Sequence, residues 1–140
     1  MNILLAVDGS AYSKKMLAYL TTHEALLSAS NSYTIFHAQP ALPPRARAAV
    51  GKDIVNQYYA EESERVLAPV AKFLLRHGVN AKSVWKVGPA GASIAKMADE
   101  GAFDLLIMGS HGHGALANLV MGSVATQVLA HCKVPVLLVR

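Results

Sequence analysis

Five short strand-like segments, separated by segments of helical character, constrain this chain more than any other feature of it. The first, residues 3–7, is apolar at every position, where a strand with one solvated face would alternate. Unbroken apolarity suits a strand covered on both faces in a parallel sheet. Asp8-Gly9-Ser10 stops it, and Ser10 is placed to cap a helix to about Leu27, with Met16, Leu17, Leu20, Leu26 and Leu27 as its buried stripe. Residues 33–38 are β-branched and aromatic and predict a second strand, ended by Gln39-Pro40. A third strand is predicted over 80–87, a fourth over 103–108 and a fifth over 134–139. Strands alternating with helices are the mark of an α/β protein with a parallel sheet and right-handed crossovers.

The helical segments carry their own punctuation. Asp53 is placed to cap a long helix to about His77, ended by Gly78, and Pro69 inside it predicts a kink or a break. Pro89 opens a shorter helix to about Glu100, stopped by Gly101, and residues 124–131 predict the last one. Residues 40–52 differ in kind: three prolines, Arg45, Arg47 and Lys52, no acid and no strong period. They read as a mobile surface loop, either a plain connection or a lid over an anionic ligand. No internal repeat is present, and 140 residues fit one domain, 1–140. At 53% hydrophobic and 16% charged, that domain has ample material for a core.

The fourth strand runs straight into a glycine pattern, Gly109-x2-Gly112-x9-Gly122-Ser123. Glycines at those places let backbone N–H groups come close to an anion. Gly122-Ser123 would sit at the N-terminus of the last helix, where free N–H groups and the macrodipole favour phosphate. From Leu105 to Arg140 there is no Asp or Glu, while His111, His113, His131, Lys133 and Arg140 all lie there. In an open parallel sheet, ligands sit outside the carboxyl ends of the strands where the strand order reverses. The ends of strands one, two and four, at Asp8, Ala38 and Gly109, can therefore converge on one crevice. Asp8 has two readings there, a turn or helix-cap residue, or a ligand of ribose hydroxyls or of phosphate-bound Mg2+ through water.

Taken in order, Val7-Asp8-Gly9-Ser10, Ile35-Phe36-His37-Ala38, the stretch from Asp104 to Gly112, the glycine pattern and the closing Val134-Pro135-Val136-Leu137-Leu138-Val139 resemble the universal stress protein family, UspA type. The resemblance runs end to end. It implies a Rossmann-like three-layer α/β fold, an open five-stranded parallel sheet of order 3-2-1-4-5, a homodimer and, with this glycine pattern, ATP binding, with Mg2+ as the accompanying ion. Carried over by position, it puts Val7 and Asp8 near the adenosine and its ribose, Ala38 backbone against the adenine edge, Met108 and Gly109 beside the ribose, and Gly112, Gly122, Ser123 and Val124 on the phosphates. His111 and His113 depart from it by bringing ring nitrogens into the loop, and Ala125 offers no hydroxyl beside Ser123.

Competing chemistries fit less well. Gly112-x-Gly114-x-x-Ala117 matches a dinucleotide fingerprint, but no acid lies downstream to take a ribose hydroxyl. A Walker loop is excluded because no Gly-Lys-Ser/Thr occurs. His111 and His113 are two ligands where zinc needs three or four. His37 inside a strand reads as a core or crevice-wall residue, and Cys132, near a helix C-terminus, as a packed small hydrophobe rather than an activated thiol. Phosphoryl transfer draws on Lys or Arg held on the phosphates, which the glycine loop lacks, so hydrolysis is expected to be absent or slow.

The net charge of +4 permits an anionic macromolecule as partner, but the basic residues are scattered without a run of five or six or interleaved aromatics, so no nucleic acid is expected. The single cysteine suits a reducing compartment, and the apolar run after Met1 is too short for a signal or a membrane span, which makes the cytoplasm the expected location. The reading is a dimeric ATP-binding regulatory module of the stress response, paired through its C-terminal strand. A slow ATPase or autophosphorylating enzyme and a nucleotide-free dimeric interaction module stay open beside it.

Overall fold

The computed structural model describes residues 1–114 and 118–140. Ala115, Leu116 and Ala117, in the middle of the glycine pattern and including the last position of the dinucleotide-like fingerprint, lie outside the described residues. Five parallel strands, β1 (Asn2–Ala6), β2 (Ser32–Gln39), β3 (Lys82–Val87), β4 (Leu105–Gly109) and β5 (Val136–Val139), form one sheet of order β3-β2-β1-β4-β5. The helices are α1 (Ala11–Thr21), α2 (Pro44–Val50), α3 (Lys52–Arg76), α4 (Ala90–Glu100) and α5 (Ser123–His131). The expected sheet and strand order are both present.

The unbroken apolarity of the first strand has a direct cause. β1 lies between β2 and β4, Leu4 pairing with Thr34 on one side and Leu106 on the other, and Ile3, Leu4 and Leu5 are fully buried. Ile3 and Leu5 face a core built with Met16, Leu17 and Leu20 of α1 and Leu67, Val70 and Leu74 of α3. Leu4 and Ala6 face the opposite core, with Phe36, Ile94 and Ala98 of α4 and Val128 of α5. The result is three layers, helices on both faces of the sheet. Each fully buried leucine or isoleucine contributes about 1.5–3 kcal/mol, so both faces of β1 act as anchors.

Four sequence expectations are corrected. The first helix ends at Thr21 rather than near Leu27, because Thr21 and Thr22 donate their hydroxyls to the Ala18 and Tyr19 carbonyls and so close the last turn. Leu26 and Leu27 still pack on the core, from a turn. Residues 40–52 are not a loop throughout: Pro44 begins α2 in the first helical position, alanines carry it, and Gly51 ends it. The Leu42 N–H donates to Tyr59 Oη and ties the segment to α3. Gly51, not Asp53, is the N-cap of α3, and Asp53 sits in the first turn, where its charge favours the helix dipole. Pro69 does not break α3. It stands on the exposed face, where the carbonyl it leaves without a donor meets water.

Other boundaries fall where the sequence put them to within a few residues. Ser10 caps α1, accepting from the Ser13 N–H. Gly78 follows α3 in a left-handed conformation, with the Val79 N–H reaching back to Leu74 and the Gly78 N–H to Leu75. Gly101 ends α4, and α5 begins at Ser123 with Gly122 as its N-cap.

Candidate functional site

A cavity of about 510 Å³ opens at the carboxyl ends of β1, β2 and β4, where the strand order reverses. Its volume is that of a small-ligand or cofactor site. Nine residues singled out in the sequence line it: Val7 and Asp8 after β1, Ala38 in β2, Met108 and Gly109 at the end of β4, Gly112 in the loop, and Gly122, Ser123 and Val124 where α5 begins. The fold gathers them from four regions of the chain. Sequence reasoning missed the two side walls, formed by Glu62 and Val66 of α3 and by Ala90 and Ile94 of α4. Nothing in a helix stripe marks the residues that meet a cavity rather than a core.

The turn and helix-cap reading of Asp8 holds for one of its two carboxylate oxygens. Oδ1 accepts from the Ser10 N–H and from the Ser13 hydroxyl, both at 2.9 Å, while the Ser13 hydroxyl oxygen accepts from the Asp8 N–H at 3.1 Å. These bonds lock the side chain to the start of α1. Oδ2 is turned toward Gly112, and a Cβ on residue 112 would stand 2.7 Å from it. Gly112 is therefore a cradle that keeps this oxygen open, an acceptor suited to a sugar hydroxyl or to a water on Mg2+.

Gly109 answers a different need. A Cβ there would lie 2.7 Å from Tyr12 Cβ and 3.0 Å from the Tyr12 backbone, so this glycine permits α1 to pack on the end of β4. Its smallness serves the fold before it serves any ligand.

The two loop histidines are braces. The buried His111 ring accepts from the Ser110 hydroxyl through Nδ1 at 2.8 Å and donates from Nε2 to the Leu119 carbonyl at 2.9 Å, spanning the glycine loop from base to far side. Tyr12 packs against it at 4.7 Å between ring centroids. His113 donates from Nε2 to the Asp8 carbonyl at 2.7 Å and ties the loop to the end of β1. Among the described residues no group of three or more His, Cys, Asp or Glu could hold a metal by itself. An Mg2+ ion would need phosphate oxygens beside Asp8 Oδ2.

The electrostatics come from backbone rather than from cationic side chains. Gly122 donates its N–H to the Ser110 carbonyl and brings no capping side chain, so the N–H groups of the first turn of α5, beginning at Ser123 and Val124, are left at the cavity wall. Among the described residues the lining holds no Lys or Arg, and Arg45 and Arg47 of α2 stand outside it. The stretch from Leu105 to Arg140 is free of acids, but Asp8 and Glu62 enter the cavity from elsewhere. Cys132 lies away from this site. Burial pushes its thiol up from the ordinary value, and the nearby Asp99 charge adds to the rise, so it is not an activated nucleophile.

The model of the universal stress protein family matches residues 1–140. The universal stress protein Slr1230 of Synechocystis sp. is 31% identical over 138 residues, 99% of this chain. The chain spans about half the length of the first relatives it matches, 42% of Slr1230 and 49% of the Methanocaldococcus jannaschii universal stress protein MJ0577. The solved structure of MJ0577 superposes with a TM-score of 0.82 at 24% identity, covering 99% of this chain and 94% of that one. A universal stress protein family protein from Arabidopsis thaliana, solved with AMP bound, superposes with a TM-score of 0.72 at 16% identity, covering 99% of this chain and 90% of that one. With a family match over its whole length, a parallel sheet in the order 3-2-1-4-5 and relatives of this similarity, the chain belongs to the universal stress protein family.

Proposed function

We propose that the cavity binds an adenine nucleotide, with ATP and its Mg2+ as the working ligand, and that occupancy regulates what a dimeric protein presents to its partners. The observation that carries this reading is the convergence of Val7, Asp8, Ala38, Met108, Gly109, Gly112, Gly122, Ser123 and Val124 on one cavity with a helix N-terminus in its wall. Asp8 Oδ2 takes a ribose hydroxyl, the β2 end at Ala38 takes the base, and Gly112 with the first turn of α5 takes the phosphates. The AMP bound by the Arabidopsis relative supports the same ligand class.

Asp8 is the residue that would hold a nucleotide-bound Mg2+ through water, and the ion would supply charge neutralisation that Lys or Arg otherwise provides. The described lining holds no cationic side chain to stabilise charge on a transferring phosphoryl group. Regulation by binding therefore fits better than turnover. The cytoplasm and a role in the stress response belong to this reading, as does a homodimer through β5.

The test is mass spectrometry of any small molecule released on denaturation, followed by calorimetric titration with ATP, ADP and AMP, with and without Mg2+. Micromolar or tighter binding of at least one of them is expected. No released nucleotide and no heat with any of the three would leave a nucleotide-free interaction module. Mg2+-dependent ADP release that vanishes on changing Asp8 would make it a slow ATPase.

A further inference from the structure

We propose that His37 and Gln39 form a base-reading pair that makes the cavity select a purine carrying an exocyclic amine over its 6-oxo counterpart. The inference rests on the nucleotide reading above and names its specificity. His37 and Gln39 stand two apart in β2, so their side chains leave the same face of the sheet, and both line the cavity. Only 5% of His37 and 8% of Gln39 are exposed, so each polar atom of the pair needs a partner or an opening.

The hydrogen bonds fix which way the amide faces. His37 Nδ1 lies 2.9 Å from the Val7 carbonyl oxygen. A carbonyl only accepts, so Nδ1 carries a proton and donates it. In the neutral ring Nε2 then keeps its lone pair and must be offered a hydrogen. The only group bonded to it among the described residues is the Gln39 side-chain amide, whose Oε1 is placed 2.9 Å away, where an oxygen would set lone pair against lone pair. The two ends of an amide have the same shape and the network decides between them, so the NH2 end faces His37. The carbonyl end is turned away. It makes no hydrogen bond among the described residues, yet it is not a sealed orphan, since Ser63 Oγ is the sole buried side-chain N or O without a partner there. An acceptor therefore opens into the cavity at the β2 end, across β1 from the glycine loop.

An open carbonyl oxygen of this kind accepts from the N6 amine of adenine. Against the O6 of hypoxanthine it sets lone pair to lone pair. A site that leaves such a group unpaired rejects the wrong ligand, and the expected discrimination is about tenfold or more. His37 is a positioning residue in this scheme, acting only through Gln39.

The experiment is calorimetric titration with AMP and inosine monophosphate, which share sugar and phosphate and differ at the 6-position. The native protein should bind AMP at least about tenfold more tightly. Gln39→Leu should bring the two affinities to within about threefold, by loss of AMP affinity together with relief of the clash with the 6-oxo group. Gln39→Glu keeps an acceptor toward the cavity, its other oxygen accepting from His37 Nε2 once that nitrogen takes up a proton, and should keep the preference, which guards against a Leu variant that does not fold. The ring itself is read by 15N NMR of His37 in the native protein, with Nδ1 protonated and Nε2 bare. Equal native affinities, an unchanged ratio in Gln39→Leu, or a ring protonated on both nitrogens would each overturn the pair while leaving nucleotide binding intact. Failure of both nucleotides to bind would overturn the nucleotide reading together with it.

Discussion

Gly109 and Gly112 sit three residues apart in the same pattern and are small for different reasons. A methyl at 109 runs into the Tyr12 backbone, which moves only with α1, whereas a methyl at 112 meets Asp8 Oδ2, the end of a side chain. Gly109→Ala should therefore lower unfolding free energy by about 1–3 kcal/mol in urea denaturation. Gly112→Ala should leave the midpoint nearly unchanged while weakening ATP by about tenfold, about 1.4 kcal/mol, because it displaces the acceptor proposed for ribose. Equal losses of stability would contradict this division. Ser63 gives a second test at this scale. Its hydroxyl is fully buried on α3 without a partner among the described residues, so Ser63→Ala removes a desolvated polar group and should stabilise the protein by about 1 kcal/mol, read as a rise in Tm. A fall in Tm would mean that the hydroxyl has a partner.

At the scale of elements, α2 is where sequence and structure part most. Its residues carry no amphipathic period because none of them is buried, and without a period three prolines and a run of small residues look like loop. Only Pro40 of the segment lines the cavity, so a lid would have to swing α2 inward and break the bond from Leu42 to Tyr59. If the segment works as a lid, saturating ATP slows trypsin cleavage after Arg45 and Arg47. Identical rates with and without ATP would make α2 a fixed part of the surface.

For the whole molecule, the question is what covers β5. It is an edge strand in the sheet order, and Val136, Leu137 and Leu138 are only partly buried. A bare apolar edge is an aggregation hazard, and antiparallel pairing with the same strand of a second copy would satisfy its open N–H and C=O groups about a two-fold axis. Pro135 precedes the strand and has no donor, so the ladder would run over Val136–Val139. Light scattering at micromolar concentration should give a dimer for the native protein and a monomer for Leu138→Asp, with Lys133→Asp remaining dimeric. A Leu138→Asp protein still twice the monomer mass would place the interface elsewhere.

The sequence by itself determined β1, because a strand covered on both faces runs apolar, and the alternation of strand-like with helix-like segments marked the α/β class. The strand order and the family came from the resemblance rather than from period. The glycine pattern, Asp8 and Ala38 were legible because turns and strand ends restrict which residues can occupy them. Only the tertiary structure decided that Glu62, Val66, Ala90 and Ile94 wall the cavity, that His111 and His113 brace the loop, and that the His37 ring sits between the Val7 carbonyl and the Gln39 side-chain amide. Those facts depend on which helix lies over which strand end and on which carbonyl faces the His37 ring. Contacts between residues distant in sequence fix both, and no local period or propensity records them.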